Sequence, residues 1–172
     1  MPPRSQLSTR PPYERALDLL ARRARSVKEL RDALARKAAD PALVEPAIER
    51  LLAAGLLDDA AFARQYARSR ALNSGTSRRR IQQELARKGV SRALADEALA
   101  EVFEEEAVDE EGIVEQAARK KMRSLAKLDP QVRTRRLWSF LARRGYDSDS
   151  IRRAIATVTG EDPEVVVEVD GE

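Results

Sequence analysis

Leu-Ala followed by two basic residues occurs three times in this chain, as Leu34-Ala35-Arg36-Lys37, Leu85-Ala86-Arg87-Lys88 and Leu141-Ala142-Arg143-Arg144. An aliphatic residue stands four positions before each leucine: Leu30, Ile81 and Leu137. At 13, 14 and 17 positions after it come Ala47/Ile48/Leu51, Ala98/Leu99/Val102 and Ala154/Ile155/Val158. Steps of three and four lie on one face of an α-helix. A helical pattern that returns in fixed register marks a repeat protein, each copy being one small helical unit. The chain is therefore expected to be all-α, a tandem array of three three-helix, helix-turn-helix-like repeats. Because each unit touches only its neighbours, the array is expected to be elongated. Ala, Leu, Arg and Glu dominate the composition and lose little side-chain freedom in a helix, which suits this reading.

Local signals divide the 172 residues further. Residues 1–12 hold four prolines and read as a disordered lead-in. The first repeat is placed at 13–57, with Leu17, Leu20 and Ala21 on one face of its first helix. Ser26 and Glu29 have the spacing of a capping box for the second helix. Asp40-Pro41 suggests the third, which ends at Gly55 and either begins near Pro46 or bends there. The second repeat, 58–111, opens on the helix-starting acids Asp58-Asp59. Asn73-Ser74-Gly75 breaks its first helix, Thr76 or Ser77 caps the next, Gly89 ends it, and Ser91 starts the last. The acidic run 104–111 either extends that helix or forms a solvated linker. The third repeat, 112–159, has Asp129-Pro130 at the start of its middle helix, Gly145 at its end, and Asp147 or Ser148 at the start of the last. Gly89 and Gly145 share a register that Ala38 occupies in the first repeat, where the missing glycine is expected to weaken a left-handed cap by roughly 1 kcal/mol. Residues 160–172 read as a mobile acidic tail in which Val165-Val166-Val167 has too little company to build a sheet.

What the chain lacks narrows its function. It has no histidine and no cysteine, which excludes a Ser-His-Asp triad, a histidine base, disulfides and thiolate or imidazole metal sites. The carboxylates of 104–111 are consecutive rather than convergent, and no phosphate-cradling glycine motif occurs. An enzyme, a metal or a cofactor is not expected. No apolar run is long enough to span a bilayer or to serve as a secretory signal, so a cytoplasmic monomer with no membrane partner is expected.

Charge distribution points to the partner class. Net charge is +3, but residues 161–172 carry six acids and no base, leaving +9 on residues 1–160. Nine bases against the single acid Glu84 lie between Phe62 and Arg92. Such a field favours polyanions or acidic protein surfaces. The pairs Arg36/Lys37, Arg87/Lys88 and Arg143/Arg144 suit helix carboxyl ends, which attract cations whether or not a partner binds. Arg78-Arg79-Arg80 stands at a helix amino end, where the dipole disfavours positive charge, so these three are the stronger candidates for a binding surface. Phe62 and Tyr66, one turn apart, read as core. Trp138 falls in the register of the polar Arg31 and Gln82, which predicts an outward indole, filling an inter-repeat seam or anchoring a contact.

Gly55-Leu56-Leu57-Asp58-Asp59 with Phe62-Ala63, then Arg78-Arg79-Arg80-Ile81 and Glu84-Leu85-Ala86-Arg87-Lys88-Gly89-Val90, resembles the signature of the RecX family of bacterial recombination regulators. Leu137, Phe140-Leu141 and Arg144-Gly145-Tyr146 continue the likeness, which covers about residues 13–158. The resemblance implies tandem three-helix units that bind the RecA recombinase and lie in the groove of its filament on single-stranded DNA. It implies inhibition of filament extension, ATP hydrolysis and strand exchange without catalysis by the protein itself. Ala38, Pro46 and the acidic tail depart from the family pattern and affect the expected local geometry. Direct DNA contact through helix-turn-helix-like units is the competing expectation.

Overall fold

The computed structural model of the chain describes residues 10–38, 40–105 and 108–160. Among them are nine α-helices and no strand: α1 (Pro12–Arg22), α2 (Val27–Ala35), α3 (Val44–Ala53), α4 (Asp59–Leu72), α5 (Arg78–Arg87), α6 (Arg92–Ala100), α7 (Glu110–Leu125), α8 (Pro130–Arg143) and α9 (Ser148–Thr159). They follow one another as three three-helix motifs. None is long and apolar enough to cross a membrane. The acidic tail from residue 161 and the first nine residues of the lead-in lie outside the described residues.

The repeated positions are the buried seam. Leu30, Ile81 and Leu137 are inaccessible to solvent, as are Leu34, Leu85 and Leu141. Ala47, Ile48, Leu51, Ala98, Leu99, Val102, Ala154 and Ile155 are likewise buried, and Val158 packs partly buried beside them. Burying one such leucine contributes about 1.5–3 kcal/mol. That is why the pattern must recur whenever a three-helix unit does.

Two compact units emerge, and their boundary runs through the middle motif. One contains Met1–Gln65 with Leu85–Ala98, the other Tyr66–Glu84 with Leu99–Glu172, so α4, α5 and α6 supply residues to both. The first has a core of Ala16, Leu30, Leu34, Ala38, Val44, Ile48, Leu51 and Leu57. The second is centred on Val114, Ala118, Leu137, Leu141, Ile151 and Ile155, with Tyr146 buried among them.

Helix boundaries follow side-chain caps. The Ser26 hydroxyl accepts from Glu29 N–H at 3.1 Å, Asp109 accepts from Glu111 and Gly112, Asp129 from Gln131, and Asp147 from Ser150. Ser77 rather than Thr76 caps α5, accepting from Arg80 N–H. Asp58 caps α4, accepting from Ala60 and Ala61. Asp59 reaches back to the Val27 N–H at 2.8 Å. Pro46 causes no kink. Asp40 starts a single 3₁₀ turn, Pro41–Leu43, and Pro46 then falls in the first turn of α3, where its missing N–H has no partner to lose.

Four readings change. Helix α1 starts at Pro12, inside the expected lead-in, and Arg10 pairs with Asp18 and Glu14 on that helix. Its inner face is Pro12 and Ala16 with Tyr13, Leu19 and Leu20, while Leu17 and Ala21 face solvent. The methyl of Ala16 permits a closer helix approach than a leucine could. The acidic run is neither one helix nor one linker: Glu101–Glu105 forms a π-helical turn, 106–107 lie outside the described residues, and Asp109 begins α7. Ala38, expected to weaken a cap, is a buried member of the first core.

Candidate partner-binding surface

The basic repeats divide into residues that join helices within each unit and residues that face outward. The joint is the same in both units. In the first, the Ser26 hydroxyl that caps α2 donates to the carbonyl of Lys88, just past α5, at 2.6 Å. In the second, the Ser77 N–H at the start of α5 donates to the carbonyl of Arg144, just past α8, at 3.1 Å. The amino end of one middle helix thus receives the turn that closes the next. Glycine makes the approach possible: a Cβ at Gly89 would lie 2.5 Å from the Lys28 side chain, and one at Gly145 would lie 2.6 Å from Arg80 Cβ. Both glycines have positive φ, which other residues adopt only with strain.

This joint accounts for one residue in each of two of the three basic pairs. Lys88 donates to Glu29 at 2.6 Å, and Arg23 donates to the same carboxylate at 2.9 Å. Burial opposes the charge of Glu29, but these hydrogen bonds outweigh it and hold its pKa at about 2. Glu29 therefore spends its carboxylate on the joint, not on the return bond of a capping box. Arg144 donates to the Ser74 carbonyl at 2.7 Å and stacks its guanidinium 3.8 Å above the Phe140 ring. Burial, and then the neighbouring charge of Arg70, make its cationic form less favourable than usual.

The three arginines at the start of α5 have different surroundings. The Arg78 guanidinium pairs with Glu104 at 2.9 Å, and its backbone N–H donates to Glu110 at 3.0 Å. The acids of the run 104–111 thus offset positive charge at that helix end. Arg80 lies 3.3 Å from Glu84, and Glu84 also accepts two bonds from Arg70, at 2.8 and 2.9 Å, and one from the Tyr66 hydroxyl at 2.9 Å. Burial acts to raise the Glu84 pKa, yet these donors bring it below the ordinary value. Arg79 is exposed and has no ion pair among the described residues, as is the case for Arg87 and Arg143. Phe62 is core, 5.9 Å from the Lys88 ammonium. Tyr66 is half-buried and works through its hydroxyl. Trp138 is not turned outward: it packs, half-buried, on the core of its own unit.

A second basic stretch is absent from the candidates above. From Gln116 to Tyr146 the sequence has ten bases against the single acid Asp129, which is occupied as the cap of α8. This is a denser positive stretch than that from Phe62 to Arg92, and the same count of charges would have found it. The arginines of the third helix of each motif are engaged at home: Arg50 lies 4.1 Å over Tyr13, Arg92 pairs with Asp96, Arg152 with Asp149, and Arg153 with Glu111.

Comparison with known proteins comes to the same repeats. Models of the first, second and third three-helix domains of RecX match residues 13–51, 58–99 and 109–155. The fold is similar to the crystal structure of RecX from Lactobacillus salivarius, with a TM-score of 0.62 and 20% identity over 87% of this chain and 96% of that one. It is also similar to the crystal structure of a regulatory protein RecX, with a TM-score of 0.65 and 24% identity over 87% of this chain and 72% of that one. No curated protein gives a significant match.

Proposed function

The chain belongs to the RecX family, whose members are regulators without catalysis of their own, and from that premise we propose that it binds the filament of the RecA recombinase on single-stranded DNA. Bound there, it inhibits filament extension, ATP hydrolysis and strand exchange, and so restrains recombination and DNA repair in the cytoplasm. The observation that carries this reading is the unbroken succession of all three family domains along residues 13–155. Exposed cations on the repeats support it, since an anionic partner is drawn to them. Among the candidates, Arg79, Arg87 and Arg143 make the partner contacts. Arg78, Arg80, Lys88 and Arg144, which have partners within the chain, hold the helices that present them, and Trp138 fills the space beneath α8.

The deciding experiment is the single-stranded-DNA-dependent ATPase of the cognate recombinase, measured with increasing amounts of this protein. Near-stoichiometric protein is expected to suppress hydrolysis, and the purified chain alone to hydrolyse nothing. An undiminished rate at saturating protein, on filaments that co-sediment with it, would overturn the inhibitor reading.

A further inference from the structure

A cleft of about 590 Å³ opens within the second compact unit, bounded by the Asn73–Gly75 turn, by α7, and by Phe140 and Arg144 of α8. Ligand pockets have volumes of about 300–1,000 Å³. Its apolar lining is Leu72, Ile113, Ala117 and Phe140, and Leu72 is 50% exposed. Lys120, Lys121 and Arg123 stand around that lining, and no carboxylate does. Arg119 on the rim pairs with Glu115, but Lys120 and Arg123 have no ion pair among the described residues.

The helix itself does not offset these charges. No acid stands three or four residues from Lys120, Lys121 or Arg123, so none has a helical ion pair. The acids just before and at the start of α7 are engaged elsewhere. Glu104 pairs with Arg78, Asp109 caps α7, Glu110 accepts from the Arg78 N–H, and Glu111 pairs with Arg153. The remaining concentration of acid is the segment 161–172. Glu161, Asp162 and Glu164 precede its Val165-Val166-Val167, and Glu168, Asp170 and Glu172 follow it. Apolar residues between acids are the complement of an apolar lining between bases.

We propose that residues 161–172 dock in this cleft of their own chain, the three valines against Leu72, Ile113 and Phe140 and the flanking acids against Lys120, Lys121 and Arg123. Covalent reach allows it. Helix α9 packs against α7 and ends at Thr159, with Gly160 in the left-handed conformation. Val167 stands seven residues beyond Gly160 and reaches up to about 25 Å from it. Helix α7, at 16 residues, is about 24 Å long. The valines therefore come within range of the cleft from any position along that helix. A tether this short sets an effective concentration on the order of 1 mM, so contacts too weak for a free peptide suffice. The same segment of a second copy is present only at its bulk concentration, which favours the chain's own. Docked, the segment neutralises the cations, covers Leu72 and excludes other ligands from the cleft. The tail is thus a built-in competitor for this surface.

The test is carbodiimide coupling of the full chain alone, which joins a carboxylate to a lysine amine as an amide with loss of water, the links being mapped by mass spectrometry. Of the lysines, Lys28, Lys37, Lys88 and Lys127 serve as internal references. Links from the acids of 161–172 should form on Lys120 and Lys121 about fivefold more often than on the references, as the tethered concentration requires. Replacing Val165, Val166 and Val167 together by Ser keeps all six acids and should lower that yield about threefold. Leu72→Ser should lower it too, whereas Leu52→Ser, comparably exposed in the first unit, should not. Circular dichroism verifies the helices in each variant. Mixing ordinary chains with chains labelled by a heavy isotope separates links within a chain from links between chains. The proposal is overturned by links spread evenly over all the lysines, or by a yield unchanged in the valine variant or in Leu72→Ser. Links that join chains of different isotope would also overturn it, assigning the segment to a second copy. Because recombinase is absent, none of these outcomes bears on the inhibition proposed above.

Discussion

The Glu84 carboxylate accepts from Arg70 and Tyr66 on α4 and stands beside Arg80 one turn before it on α5. Glu84→Gln keeps the shape but removes the charge that Arg70 and Arg80 need, and is expected to cost about 2–3 kcal/mol in urea unfolding. Arg79→Ala, on the same helix end, should cost less than about 0.5 kcal/mol. Glu29 supplies a pH signature. Its folded pKa, about 2, lies below its ordinary 4.5, so its stabilisation is complete above about pH 4.5 and fades as pH falls towards 2. The stability gap between wild type and Glu29→Gln should therefore be constant near neutrality, about 1–2 kcal/mol given the half-exposed Arg23, and should close in acid. Guanidinium denaturation at a series of pH values would measure it, and a gap that widened in acid would contradict the assigned sign. Glu84 was visible in the sequence as the one acid among nine bases. Its donors were not, because Arg70 and Tyr66 come from another helix across a glycine turn. The acids that offset the charge of Arg78 were hidden for a related reason. A dipole argument weighs a helix end in isolation, and the offsetting acids Glu104 and Glu110 arrive from 26 and 32 residues further on.

At the level of helices, starts and stops were largely legible because caps are local chemistry: Ser26, Asp40, Asp58, Ser91, Asp129 and Asp147 all cap with their side chains. The inner face of α1 was not, since two leucine-bearing faces compete along one short helix and neighbours choose between them. The joints between middle helices were also hidden, because a glycine after a helix looks the same whether it ends in solvent or against another chain segment. Substitution separates the two cases. Gly55→Ala meets no neighbouring atom and should cost about 1 kcal/mol, the strain of a left-handed backbone. Gly89→Ala and Gly145→Ala add a collision at 2.5–2.6 Å with Lys28 and Arg80 and should cost about 3 kcal/mol each. Equal shifts in melting temperature for all three would show that the joints yield easily. Ala38 fits the same logic. It holds the register of Gly89 and Gly145, but the described chain offers no earlier middle helix to receive its turn, and a methyl group there is simply core.

For the whole molecule, replacing Arg79, Arg87 and Arg143 together by Gln should lower affinity for the recombinase filament and raise the amount of protein needed to suppress ATP hydrolysis. Thermal melting should stay within a few degrees of wild type, because none of the three has an ion pair to lose among the described residues. A variant that inhibits as well as wild type but melts earlier would assign these arginines to the fold. The joint between middle helices, finally, has a polarity: one side is always a helix start bearing a serine, the other always a turn carrying a glycine. Helix α5 has both sides, the serine end in one unit and the glycine end in the other. An in-frame duplication of the middle motif would therefore inherit a donor and a receptor already in matching order, and could lengthen the protein without inventing a new contact. Duplicating the first motif would not, because Ala38 would bring a methyl group to a seat shaped for hydrogen. Growth of such a protein by gene duplication is thus constrained by a single codon in each copy.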